Sequence, residues 1–139
     1  MSWDISIMKF SQRYSDVSAI PSDEVPLILG PRLAVHERVL EVFPGTDWSD
    51  PTWGAWESAI GSIEFNLGDD DPIEDMMLHV RADEEVVSKI VRLCIANGWQ
   101  GIDCESGEFV EQTQDPASGL RAWSEHRDQI ISLAEGRET

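Results

Sequence analysis

Three short stretches of this chain alternate apolar and polar residues with a period of two, and that constrains the fold more than any other feature. In residues 2–9, Trp3, Ile5 and Ile7 fall on one side and Ser2, Asp4 and Ser6 on the other. In residues 62–67, Ile63, Phe65 and Leu67 oppose Glu64 and Asn66. In residues 76–82, Met76, Leu78 and Val80 oppose Met77, His79 and Arg81. Successive side chains of a strand point to opposite faces. Such segments therefore build a sheet with one buried and one wet face, the habit of antiparallel sheets.

Two helices are expected to cover the dry face. The first opens at Gly30–Pro31, with proline at its first position, and stops at Phe43 before Pro44–Gly45. Its apolar arc holds Val35, Val39, Leu40, Val42 and Phe43, with His36 at the edge. The second is capped by Asp83, carries Glu84 and Glu85 in its first turn, and ends at Asn97–Gly98. Its stripe is Val86, Val87, Ile90, Leu93 and Cys94. A strand at 53–58 follows the turn DWSDPT, and a strand at 100–104 turns at Ser106–Gly107 into a hairpin with Phe109–Val110. Residues 10–29 read as a long loop.

After the linker at Pro116, residues 117–135 read as a last helix with Leu120, Trp123, Ile130 and Ala134 on one side. That stripe is thin. The helix either docks on the 1–115 domain or presents Trp123 to a partner or a second copy of the chain. The element order is β-α-β-β-β-α-β-β-α. It predicts an α+β, two-layer domain with a largely antiparallel sheet, helices on one face, a ferredoxin-like core and a C-terminal helix.

Charge limits function. The chain has 27 Asp and Glu against 10 Lys and Arg, a net of −17 over 139 residues. The excess is evenly spread, −8 in residues 1–70 and −9 in 71–139, so it describes a charged globule and not an acidic tail. Such a field repels phosphate backbones and attracts basic surfaces. Nucleic-acid binding is therefore not expected. No run of 18 apolar residues marks a membrane span, and the N-terminus has no signal-peptide block. A cytoplasmic protein is expected. Cys94 and Cys104 sit in apolar surroundings and read as buried thiols, too few for a disulfide framework or a structural zinc site. No glycine-rich phosphate loop and no nucleophile–histidine–acid arrangement occurs. His36, His79 and His126 have no metal-pair spacing. No cofactor and no catalytic residue is expected.

Three constellations stand out. The wet face brings Glu64, Asn66, His79 and Arg81 together if 62–67 and 76–82 pair, with Asp4, Ser6 and Asp103 joining from neighbouring strands. It is either a recognition surface or a solvated face held by cross-strand pairs such as Glu64–Arg81. An alternative makes Asp4, Glu64 and Asp103 the Mg²⁺ ligands of a metal-dependent hydrolase, or makes this face a small-ligand sensor. The loop Asp69, Asp70, Asp71, Pro72, Ile73, Glu74, Asp75 lacks EF-hand spacing. It is a solvated hairpin loop or an electrostatic hook for Lys and Arg of a partner. Trp48, Trp53 and Trp56 lie within nine residues. Trp is enriched at interface hot spots and equally suits a core. Trp48 and Trp53 are the candidate anchors, and core packing of at least two of the three is expected.

IEFNLGDDDPIEDMMLHVRA (63–82), NGW (97–99) and IDCESGEF (102–109) together resemble a group of small acidic bacterial proteins. These in turn are similar to the immunity partners of secreted bacterial toxins. The resemblance covers about a third of the chain. It implies a stand-alone α+β domain, no cofactor, and a basic protein, such as a toxin, as partner.

Overall fold

The computed structural model describes the backbone of residues 2–138 and the side chains of residues 2–130. It is an α+β two-layer structure. The strands are β1 (Trp3–Met8), β2 (Asp47–Asp50), β3 (Trp53–Ser58), β4 (Gly61–Asn66), β5 (Met76–Ala82) and β6 (Gln100–Asp103). The helices are α1 (Arg32–Val42), α2 (Glu85–Asn97) and α3 (Ser118–Glu138). The sheet order is β2-β3-β4-β5-β1-β6, and every neighbouring pair is antiparallel. β5, α2 and β6 form a split βαβ unit around β1, the element from which a ferredoxin-like core is built. The β2–β5 meander widens it.

The alternation sorts the side chains as expected. Trp3, Ile5, Ile7, Ile63, Phe65, Met76, Leu78 and Val80 are buried together in one core. Val35, Val39 and Val42 of α1 join that core, as do Val86, Val87, Ile90, Leu93 and Cys94 of α2 and Leu120 and Trp123 of α3. All three helices thus pack on the same face of the sheet. Burying a large apolar side chain contributes about 1.5–3 kcal/mol, so this single layer of contacts holds the fold.

α3 docks through its first two turns. Ala117, Leu120 and Trp123 are buried, while Ile130 is exposed and the Ala134 side chain lies outside the described residues. Arg121 ties the start of α3 to Asp115 at 2.7 Å and to Glu84, just before α2, at 2.7 Å.

Several local expectations change. β2 falls where a turn was expected, at the sheet edge with three of its four residues exposed. The hairpin partner of β6 shrinks to one bridge, Ile102 to Phe109. The arc of α1 is rotated: Leu40 is exposed and His36 is buried. Asp83 does not cap α2; the cap position is Glu84 and its side chain makes no capping bond. At the other end, Gly98 takes the left-handed conformation at φ +68° and closes α2 as its position suggests.

The 10–29 segment is not a free loop. It holds a 3-10 turn at Val17–Ala19, and Leu27 bridges Lys9. The Gln100 side chain pairs with the backbone of Tyr14 in both directions, at 2.8 Å each way. Phe10, Tyr14 and Phe109 form a second small cluster, against which Met8 and Ile102 pack. That cluster covers the β6 corner of the otherwise open sheet face.

Candidate functional site

With the helices gathered on one side, the opposite sheet face stays open among the described residues. Its rows follow from strand register. Ala55, Glu64, His79 and Asp4 stand side by side across β3, β4, β5 and β1. The next row is Trp53, Asn66, Met77, Ser6 and Ile102. Glu57, Ser62 and Arg81 make a third. β2 adds Asp47 opposite Ala55 and Asp50 opposite Trp53. The face therefore collects Asp4, Asp47, Asp50, Glu57 and Glu64 against Arg81 and His79. The grouping of Glu64, Asn66, His79 and Arg81 expected from alternation is present.

The centre of the face is ordered. His79 Nδ1 lies 2.9 Å from Asp4 Oδ1. An ionised carboxylate only accepts, so Nδ1 carries the proton. The Ser2 hydroxyl donates to the same Asp4 oxygen. Arg81 reaches diagonally to Glu64 at 3.4 Å, the cross-strand pair expected from the sequence. The Trp53 ring reaches across β4 and lies nearly parallel to the His79 ring, 5.6 Å between centroids and 18° between planes. Trp53 remains 37% exposed. It is a flat aromatic group on a polar surface, resting on a ring that is itself held by a carboxylate.

The two acids of β2 are held ionised. The Ser49 hydroxyl and backbone N–H both donate to Asp47 and keep its carboxyl below the ordinary range. The backbone N–H and hydroxyl of Thr52 do the same for Asp50, with a smaller contribution from the Arg32 charge. Hydrogen bonds to the charged form favour that form.

Other expected residues separate. Trp48 is on the helix side. It stacks on His36 at 3.9 Å and 18°, sits over Gly54 and approaches Phe65 at 6.2 Å. His36 completes this contact by bonding the Pro51 carbonyl through Nε2 at 2.8 Å. Trp56 is buried in the core. Two of the three tryptophans are thus core-side, and Trp48 and Trp53 do not form one patch. Asp103 also leaves the open face. It is buried on the helix side, where its Oδ1 accepts from Trp3 Nε1 at 2.9 Å and from the Glu105 N–H at 2.8 Å. The Asp4, Glu64, Asp103 metal set is therefore not assembled. Among the described residues no group of three His, Cys, Asp or Glu side chains is placed to hold a metal ion.

The acidic loop is tacked to the helix layer. Asp71 Oδ1 accepts the Arg32 N–H at 3.0 Å, and the carbonyls of Asp69 and Asp70 accept from the Arg32 guanidinium at 2.8 and 3.2 Å. Ile73 is buried and bridges Gly30. Asp69, Asp70, Asp71, Glu74 and Asp75 are all exposed residues. The loop leaves β4 beside Asn66, at the Trp53 end of the sheet.

Neither thiol is activated. Cys94 is buried, and burial pushes its thiol far above the usual value. Cys104 is exposed rather than buried as expected, and partial desolvation with the charges of Asp4 and Asp103 raises its thiol as well. A thiol raised in this way is a poor nucleophile at neutral pH. A groove of about 350 Å³ runs between α1 and α2, lined by Leu29, Pro31, Ala34, Val35, Arg38 and Trp99 among others. Its described lining carries no histidine and no carboxylate, so no acid–base pair converges there.

Sequence reasoning missed one polar centre. Glu111 is fully buried on its side-chain atoms and accepts from Gln100 Nε2 at 3.0 Å and from the Gly101 N–H at 3.2 Å, with Arg13 at 3.6 Å. Arg13 and Glu111 both lie in segments that read as linker, so no pattern pointed to them. Among the described residues no helix is long and apolar enough to cross a membrane. Comparison of the chain with protein-family models, with curated proteins and with solved structures finds no match.

Proposed function

We propose that this protein is a non-enzymatic, acidic protein-binding domain of the immunity or antagonist kind. It neutralises a basic partner, such as a secreted bacterial toxin in the cytoplasm, by occupying it. The observation that carries this reading is the open sheet face, where five carboxylates and Trp53 share a surface that no helix covers among the described residues. The net charge of −17 gives the long-range attraction. Fields of this kind raise association rates by about 10–10³. The aromatic group, with the neighbouring Asn66, His79 and Arg81, supplies the short-range contact that sets the lifetime. The exposed acids Asp69, Asp70, Asp71, Glu74 and Asp75 steer from the end of the sheet, Asp71 while also closing the start of α1, and Trp48 serves the fold. The resemblance of 63–109 to immunity-like proteins points the same way. The metal-dependent alternative loses its third ligand with Asp103.

The test is co-expression with the product of the adjacent gene. The two chains are expected to elute together at low salt and to separate as salt is raised. Elution of this protein alone at low salt would contradict the proposal.

A further inference from the structure

We propose that the outward face of Trp53 is the seat for one arginine side chain of the basic partner. This rests on the preceding reading of the open sheet face as the contact surface and names the group that occupies its centre. One face of the indole is taken by His79, 5.6 Å away and nearly parallel. His79 is fixed in turn by Asp4 at 2.9 Å. The indole is therefore a backed shelf on a residue that is 37% exposed. The strands on either side of Trp53 place Asp50 and Asn66 in register with it, and Glu64 is the next outward residue on β4. Asp50 is held ionised by the Thr52 N–H and hydroxyl, Glu64 is shared with Arg81 at 3.4 Å, and the Asn66 side-chain oxygen accepts from the Gly68 N–H at 3.2 Å.

A cation over an indole face is attracted by the ring quadrupole. A planar, weakly hydrated guanidinium fits a flat shelf with carboxylates at its rim better than a compact, strongly hydrated ammonium does. An anion is repelled by the same rim. An uncharged aromatic group gains less from it than a cation does. The chain already uses the pairing internally, with the Arg127 guanidinium 4.9 Å from the Trp123 ring centroid.

The test uses two short peptides of equal charge, one with arginine and one with lysine at each basic position, titrated into the whole chain at low salt. The Trp53 indole N–H resonance reports the shelf in the unchanged chain, and the backbone amide resonances of Glu64 and Asn66, which flank Trp53 in the sheet, report binding in every variant. The arginine peptide is expected to bind about twofold tighter than the lysine peptide, a part of an exposed cation–π contact, since an ammonium makes a weaker one of its own. Trp53→Ala is expected to erase that difference, Trp53→Phe to keep part of it, and Glu64→Gln to weaken both peptides. Equal binding of the two peptides, or a preference that survives Trp53→Ala, would overturn the arginine seat while leaving the basic-partner reading in place. Absence of binding by either peptide at low salt would sink both.

Discussion

Gly119 shows how tightly single residues are specified here. It sits in the first turn of α3, where an added Cβ runs into the Asp103 carboxylate. Asp103 cannot move away freely, because it accepts from Trp3 Nε1 and from the N–H groups of Glu105 and Ser106. Helix propensity alone favours alanine over glycine by about 0.8–1.0 kcal/mol, whereas overpacking costs about 1–3 kcal/mol. Gly119→Ala is expected to lower stability in urea denaturation, and a rise would contradict this packing. Glu111→Ala leaves the Gly101 N–H without its acceptor and the Gln100 amide with the Tyr14 carbonyl alone. A loss of about 1–3 kcal/mol is expected in the same assay. Asp103 also marks a limit of sequence reading. In a four-residue strand containing glycine, alternation does not fix which phase is inward. Ile102 faces outward because Phe10 and Phe109 give it an apolar cover there, and Asp103 turns inward to meet the indole N–H of Trp3. Neither partner is adjacent in sequence.

At the level of elements, β1, β4, β5 and the stripe of α2 were legible because each buries one face with a clear period. β2 was not, since an edge strand of Asp47, Trp48, Ser49 and Asp50 has the composition of a turn. His36 was placed at the edge of the α1 arc but is buried, because Trp48 stacks on it from β2. The start of α1 is closed from outside the helix. Pro31 offers no capping side chain, and Asp71 takes the Arg32 N–H instead. Asp71→Ala is therefore expected to cost about 1 kcal/mol, as loss of a helix cap does. Changing Asp70, whose carboxylate is exposed, leaves stability unchanged; equal effects of the two changes would refute the distinction. The start of α3 depends on pH. Hydrogen bonds from Arg121, reinforced by its charge, hold the Asp115 carboxyl below its usual value. A group with a lowered folded pKa stabilises the fold above its unfolded pKa and loses that effect as pH falls through the folded value. Tryptophan fluorescence is expected to report loosening of α3 around Trp123 only below about pH 4. Loosening near pH 6 would point elsewhere.

For the whole molecule, the charge of −17 acts in two directions. It draws in a cationic partner and it repels itself. Raising salt from about 0.01 to 0.15 M shortens the screening length from about 30 to 8 Å. The free protein is accordingly expected to melt at a higher temperature as salt rises, while its complexes weaken. The even spread of charge was readable from composition. The placing of five of the 27 acids beside Trp53 on the face opposite the helices was not, because that depends on all three helices choosing the same side. The most direct measurement is a chemical-shift map of the isotope-labelled chain titrated with an arginine-rich peptide at low salt. Shifts centred on Trp53, Glu64, Asn66, His79 and Asp4 are expected. Shifts confined to the groove between α1 and α2, or to residues 69–75 alone, would contradict the open sheet face as the contact surface.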